Sequence, residues 1–570
     1  MDRRTLLALV LTAIVIVVTP MLFPGPRQQR RPTDTSRARS DTTKASAQLP
    51  ASSTTTTTPT PAPPAVSAPM RTPRPTTAPA GRAEITTVQT RRAEYRIVSP
   101  GGVPANVILP EYHSLRPRTP RQTPVQLLND GDRLIQLTLA GDRDTIALDT
   151  VVFRASAQRT NAGTIEQSFT SVNAAAPITL TYRFPADSFV AHVMGTVGVA
   201  SAPQTWRLLV TLPSRIRTEE ADTVDDTRHL SVGYKAGTAD VQSIAFRQLD
   251  PGATRVDTGA IRWVAQRNKY FVVVAVPEGR DSAFRALAMR GGVRTSSAAT
   301  QVQTTAVLPL SSGNFALKVY AGPQSWDHLR KTASDLENVN PYGGWLHGVV
   351  QPFATIVMRL LLWMRHTLAV SYGWVLVIFG VMVRLLLWPL NQNAMRSSMR
   401  LQRIQPELTE IQKKYRNDPE RQREAMLKLY QSHGMSPFTP VLGCLPMFLP
   451  MPILFALYFV FQNTIEFRGV PFLWLPDLSL RDPYFITPLF MGISMFVLSW
   501  IGMRGMPPSP QSKMMSYVMP VMFTALFWNF ASGLNLYYAV QNVAALPQQW
   551  LLARERTTKP PGSGTVRERK

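Results

Sequence analysis

One cysteine in 570 residues excludes an internal disulfide, and no CxxC, HExxH or similar spacing gathers ligands for a metal. That residue, Cys444, lies within a hydrophobic segment and follows no signal-like region, so it reads as a small apolar packing residue rather than a lipid anchor. The seven histidines are scattered. There is no G-x-S-x-G, no Walker-type loop and no pair of carboxylates or histidines in the hydrophobic runs, so hydrolysis, nucleotide use and proton-coupled transport all lack their usual groups. The two halves of the hydrophobic C-terminal part do not repeat each other, as many carriers would. The sequence thus points away from an enzyme and calls for no cofactor.

Acids are scarce as well: 36 Asp and Glu stand against 61 Lys and Arg, a net charge of +25. The sequence pI is about 10.6, while the mean hydropathy of −0.05 averages a polar stretch against long apolar ones. With 48 prolines besides, the chain must contain regions of unlike solvent environment.

Residues 1–23 hold two arginines and then the apolar run Leu6 to Phe23, longer than a signal-peptide core and without an A-x-A site, so an N-terminal membrane anchor is expected. Residues 24–84 are a Pro/Thr/Ala/Arg-rich tract that buries too little apolar surface to offset its chain entropy, and should be a disordered tether. Residues 85–340 carry short β-branched and aromatic runs parted by Gly, Pro, Asp and Asn. Among these are Leu134 to Leu139, Thr145 to Phe153, Ile178 to Phe184, Trp206 to Leu212, Ile261 to Ala265, Tyr270 to Val276, Gln301 to Leu308 and Phe315 to Tyr320. This spacing predicts an all-β sandwich closed by a helix near Trp326 to Glu337.

The remainder predicts a polytopic α-helical membrane bundle. Residues 341–370 read as an interfacial amphipathic helix. Within 371–553, five core spans fall at about 372–390, 441–463, 484–502, 515–531 and 533–553. The first two flank a basic helical hairpin, residues 391–436, and a basic tail covers 554–570. The hairpin carries Arg396, Arg400, Arg403, Lys413, Lys414, Arg416, Arg421 and Arg423, and the positive-inside rule makes it cytoplasmic. Counting spans then puts both termini in the cytoplasm and the β-domain outside, although five arginines between Arg27 and Arg39 crowd the outer end of the first run.

Arg384 stands alone in the run Tyr372 to Leu390, and no acid appears in the hydrophobic stretches that come after it. A guanidinium in hydrocarbon costs roughly 2.5–3.5 kcal/mol on insertion scales. It either snorkels to the inner headgroups, about 9 Å away at six residues, or faces a wet cavity. Asn535 and Asn542, with Gln541 and the neighbouring Tyr537 and Tyr538, supply polar groups in the last span that usually serve as interhelical glue. Dense methionines suit a surface that meets varied apolar partners. Aromatics do not interleave with the hairpin's basic residues, which excludes sequence-specific nucleic-acid reading. Contact with anionic lipid, nascent chain or ribosomal RNA fits its charge and its place at the membrane surface.

The stretches VRLLLWPL around Arg384, GCLPMFLPMPILFALY from Gly443 to Tyr458, PFLWLPDLSLRDPYFITPLFMG from Pro471 to Gly492 and MPVMFTALFWNFASGLNLYYAVQN from Met519 to Asn542 closely resemble the YidC/Oxa/Alb family of membrane protein insertases. The β-domain with GPQSWDHL and YGGW is similar to the periplasmic domain of the Gram-negative YidC branch. The resemblance implies an insertase and chaperone of the bacterial inner membrane. It also implies five core spans around a hydrophilic groove holding Arg384, with Asn535, Tyr538 and Asn542 beside it. Nascent membrane proteins, the ribosome and the Sec translocon are the implied partners. Departures are the longer turn Gly434 to Gly443, Pro450 in place of a frequent glutamine, and the long tether.

Overall fold

The structure, a computed structural model, describes residues 84–558 except 121, 143, 173–176, 199–205, 280–281, 295–297, 311–312, 341–346, 390, 393–403, 417, 434–450 and 505–513. The expected N-terminal anchor and tether, Arg396, Arg400, Arg403, Cys444, Pro450 and most of the basic tail lie outside the described residues. Every described residue belongs to one compact unit, residues 77–570.

From Glu84 to Pro323 the backbone is mostly strand, and its ladders are antiparallel. Four strands between Glu84 and Gln126 form one sheet and fifteen form a second. Period-two alternation drives the pairing: in Ile178–Pro185, Ile178, Leu180, Tyr182 and Phe184 all turn inward. The small sheet lies over this end of the large one, with Tyr95 and Phe184 rings 4.6 Å apart and Tyr182 Oη donating to the Gly102 carbonyl at 2.7 Å. Phe271–Pro277 is covered on both faces, and its residues FVVVAVP are accordingly a continuous apolar run. The expected strand Thr145 to Phe153 is interrupted, because Leu148–Thr150 winds into a 3-10 turn that buries Leu148 between two short strands.

The helices begin inside this domain with α1 (Thr223–Arg228), and α2 (Trp326–Thr332) closes it. The closing segment is pinned by Trp263, whose buried indole N–H donates to the Ser334 carbonyl at 3.0 Å. The helical region then runs through α3 (His347–Leu368), α4 (Tyr372–Leu386), α5 (Gln405–Lys414), α6 (Pro419–Ser432), α7 (Met451–Asn463), α8 (Ile486–Met503), α9 (Met519–Phe527) and α10 (Ser532–Thr558). A second apolar core joins α3, α4, α7 and α10 through Leu361, Leu376, Phe379, Leu457, Phe461 and Tyr537.

Each of the five runs expected to span carries a helix, but the lengths differ from a simple count. Among the described residues α8 alone is long and apolar enough to cross a membrane unaided, while α3 and α4 form a pair bent by 117°. Helix α4 stops at Leu386, and α9 is preceded by a π-helical turn, Met514–Val518, just before Pro520 removes a backbone donor.

Candidate functional site

Helix α4 places Arg384 against α10. One face of α10 carries Tyr537, Gln541 and Gln548, spaced by four and seven residues, so the three project along one stripe. Gln541 donates to the Gly380 carbonyl at 2.8 Å and to Tyr537 Oη at 3.1 Å. The absent side chain at Gly380 permits this approach, since a Cβ there would meet Val540 at 3.0 Å. One turn further along α4, Arg384 Nη2 donates to Gln548 Oε1 at 2.9 Å, and Gln548 Nε2 donates to the Trp388 carbonyl at 3.1 Å. Arg384 is half-buried and its Nε has no hydrogen-bond partner among the described residues. Nor does any described carboxylate lie within ion-pair range of it, so a neutral amide orients the cation without cancelling its charge.

Asn542 projects from a different face. Its amide donates to Ser494 Oγ at 3.1 Å and to the Met491 carbonyl at 3.3 Å, joining α10 to α8. Asn535 is buried and donates to the Phe527 carbonyl at 3.2 Å, which also accepts from Phe530 N–H at 3.1 Å, tying α10 to the end of α9. Tyr538 packs edge-on to Phe527 at 5.4 Å. Of the four residues singled out from the sequence, Asn535, Tyr538 and Asn542 lie on α10 turned towards α8 and α9, while Arg384 of α4 reaches a different stripe of that helix through Gln548. Gln548 escaped the sequence reading; its spacing seven residues after Gln541 was the available signal.

Helices α5 and α6 form the basic hairpin. Asp418 caps α6 by accepting from Arg421 N–H at 3.1 Å, and at the open end of the hairpin, opposite the turn, His433 lies 3.9 Å from Glu407. Lys413, Lys414, Arg416, Arg421 and Arg423 all point outward. Arg421 lies 3.3 Å from Asp418, but the other four have no described ion-pair partner.

A second polar cluster joins the loop after α7 to the β-domain. Arg468 Nε donates to Glu220 Oε1 at 2.8 Å, with the two side chains only 3% and 5% exposed. Its other nitrogens donate to the His113 carbonyl at 2.9 Å and the Glu219 carbonyl at 3.1 Å, and the guanidinium rests over Phe271 at 5.3 Å. Ile465 of the same loop is part of the β-domain core. Burial pushes the Glu220 carboxyl up to about 7, against the pull of Arg468, and pushes buried Asp226 up to about 6. Burial lifts Asp225 too, but the Lys269 ammonium at 2.8 Å holds it below the usual carboxylate range. The far end of the loop docks on the turn before α10: Ser532 N–H donates to the Leu480 carbonyl at 2.7 Å and Gly533 N–H to Leu478 at 3.0 Å.

Residues 363–559 match the family model described as 60Kd inner membrane protein, and residues 85–356 match that of the YidC periplasmic domain. The membrane protein insertase YidC of Burkholderia multivorans is 30% identical over 408 residues, which cover 69% of either chain. That of Anaeromyxobacter sp. is 34% identical over 310 residues, and that of Aromatoleum aromaticum 31% over 315. The chain spans 53% and 55% of the length of those two relatives. A solved structure titled as an active YidC insertase with its first transmembrane domain resolved is similar over 82% of this chain and 93% of that one, at 18% identity and a TM-score of 0.33.

Proposed function

Because the chain belongs to the YidC family of membrane protein insertases, we propose that it inserts newly made proteins into the bacterial inner membrane and helps them fold there, alone or beside the Sec translocon. The supporting observation is Arg384: a half-buried cation of an apolar helix, held by Gln548 and by no described acid. Such a group favours water around it, and a wet groove in the cytoplasmic half of the bilayer shortens the path that a client's polar or acidic flank must cross unsolvated. The client's apolar segment leaves sideways into lipid, and its burial at about 25 cal/mol per Å² drives the step without nucleotide hydrolysis.

In this reading α4, α7, α8, the π-turn with α9, and α10 are five spans, and α3 lies in the outer interface. Alternation of direction supports that order. Helices α4, α8 and α10 run the same way, since Gly380 meets Gln541 and Arg384 meets Gln548, while Met491 meets Asn542 and Gly502 lies against Gln549. The loop after α7 and the turn before α10 are bonded together, which requires them to share one side of the membrane. Both termini are then cytoplasmic, and the exposed hairpin charges Lys413, Lys414, Arg416, Arg421 and Arg423, with Arg396, Arg400 and Arg403, meet the ribosome, the nascent chain or anionic lipid. Asn535, Tyr538 and Asn542 line the bundle beside the groove.

Reconstitution provides the test. Vesicles holding the purified full chain should give a small single-span client a protease-protected, membrane-integrated form that empty vesicles do not. Client binding without integration would reduce the protein to a scaffold, and solute flux in the absence of clients would favour a channel.

A further inference from the structure

A furrow of about 790 Å³ runs along the outer side of α8 and α9, away from Arg384. Its floor is the contact of Gly492 with Thr524, where any Cβ on residue 492 would collide with the threonine hydroxyl. That hydroxyl already donates to the Pro520 carbonyl at 2.7 Å, so the floor makes no polar demand on an occupant. The walls are apolar and open outward: Ile493 is 60% and Val521 70% exposed.

The two ends differ. Phe496 and Tyr517 close one, with rings 5.8 Å apart. At the other, Trp528 stacks on Phe485 at 4.4 Å, and Asn529 Oδ1 accepts from Arg481 Nη1 at 3.4 Å. Arg481 is exposed and has no described carboxylate in ion-pair range. Its neighbour Asp482 is turned inward, accepting from Trp474 Nε1 at 3.2 Å, Tyr484 N–H at 2.9 Å and Thr487 N–H at 2.7 Å. Trp474 and Tyr484 are themselves exposed, as aromatic residues at the headgroup level are.

We propose that this furrow is a phospholipid site of the outer leaflet, with the lipid phosphate on Arg481 and one acyl chain laid between α8 and α9. Guanidinium suits phosphate because its fork of donors matches the phosphate oxygens. A continuous apolar furrow that ends on one exposed guanidinium matches an acyl chain that ends on a phosphate. Lipid tails are as apolar as these walls, so the chain contributes fit and Arg481 contributes the preference. The proposal rests on the membrane placement of α8 and α9 that belongs to the insertase function.

The experiment places the full chain in phosphatidylcholine vesicles doped with phosphatidylglycerol or phosphatidylcholine bearing a photoactivatable group in one acyl chain, and maps adducts by mass spectrometry. Adducts should concentrate at Ile493 and Val521 at least fivefold over Ile356 of α3, which is 62% exposed. Val521→Trp, which fills the furrow, should abolish that excess, as should Ile493→Trp. Arg481→Gln should lower the phosphatidylglycerol adducts at least threefold while Ile356 labels as before. Equal labelling of all exposed apolar residues overturns the proposal, and so does loss of the adducts to an added single-span client that crosslinks there instead. Absence of adducts on α3, α8 and α9 alike overturns the membrane placement itself, and the lipid site with it.

Discussion

Replacing Arg468 by alanine removes one partner of a buried ion pair and strips three acceptors at once: the Glu220 carboxylate and the carbonyls of His113 and Glu219. Leaving a buried charge without its partner costs about 3–5 kcal/mol. The loss falls on the docking of the loop after α7 to the β-domain rather than on either core, so local opening is the property to measure. Hydrogen exchange at Val470, Leu475 and Leu478, whose amides are bonded within the loop, reports it. A loss of about 3 kcal/mol accelerates exchange through that opening by more than about 100-fold. The penalty also depends on pH. With its carboxyl lifted to about 7, Glu220 is largely protonated at pH 5.5 and largely ionised at pH 8, so the variant suffers more at pH 8. Arg468→Lys keeps the charge without the fork of donors and should fall between. Exchange within threefold of the parent at pH 8 would refute the idea that this pair holds the loop on the β-domain.

Two further outcomes can be measured, one at this junction and one at Arg384. A carboxyl raised on folding stabilises below its unfolded value and loses that contribution as pH rises through the folded one. The loop–domain junction should therefore weaken between pH 5 and 8, by up to about 3 kcal/mol for Glu220, and Glu220→Gln should flatten part of the slope seen in exchange, with Asp226→Asn removing more. Gln548→Glu gives Arg384 the acid it lacks: thermal stability in detergent should hold or rise, while insertion of clients with acidic translocated ends should drop severalfold.

The β-domain was legible where its strands alternate cleanly, as in Ile178 to Phe184, and where an apolar run is continuous, as in Tyr270 to Val276. Phe284–Gly291 (FRALAMRG) escaped because Ala, Leu and Met carry helical preference, overridden here by pairing with strands on both sides. Arg384 stood out because a lone cation in hydrocarbon needs a reason. Gln548 did not, since an amide in an apolar run announces no partner. Arg468 looked like one charge in a mixed loop; its partner Glu220 lies 248 residues away, beyond any local pattern.

The uncancelled charge of Arg384 is tested most directly by comparing the parent with Arg384→Ala in the vesicle insertion assay, using one single-span client whose translocated end is made acidic or neutral. The variant should insert the acidic client about tenfold less, equivalent to about 1.4 kcal/mol, and the neutral client nearly as well as the parent. Equal insertion of both clients by both proteins would contradict a role for that charge.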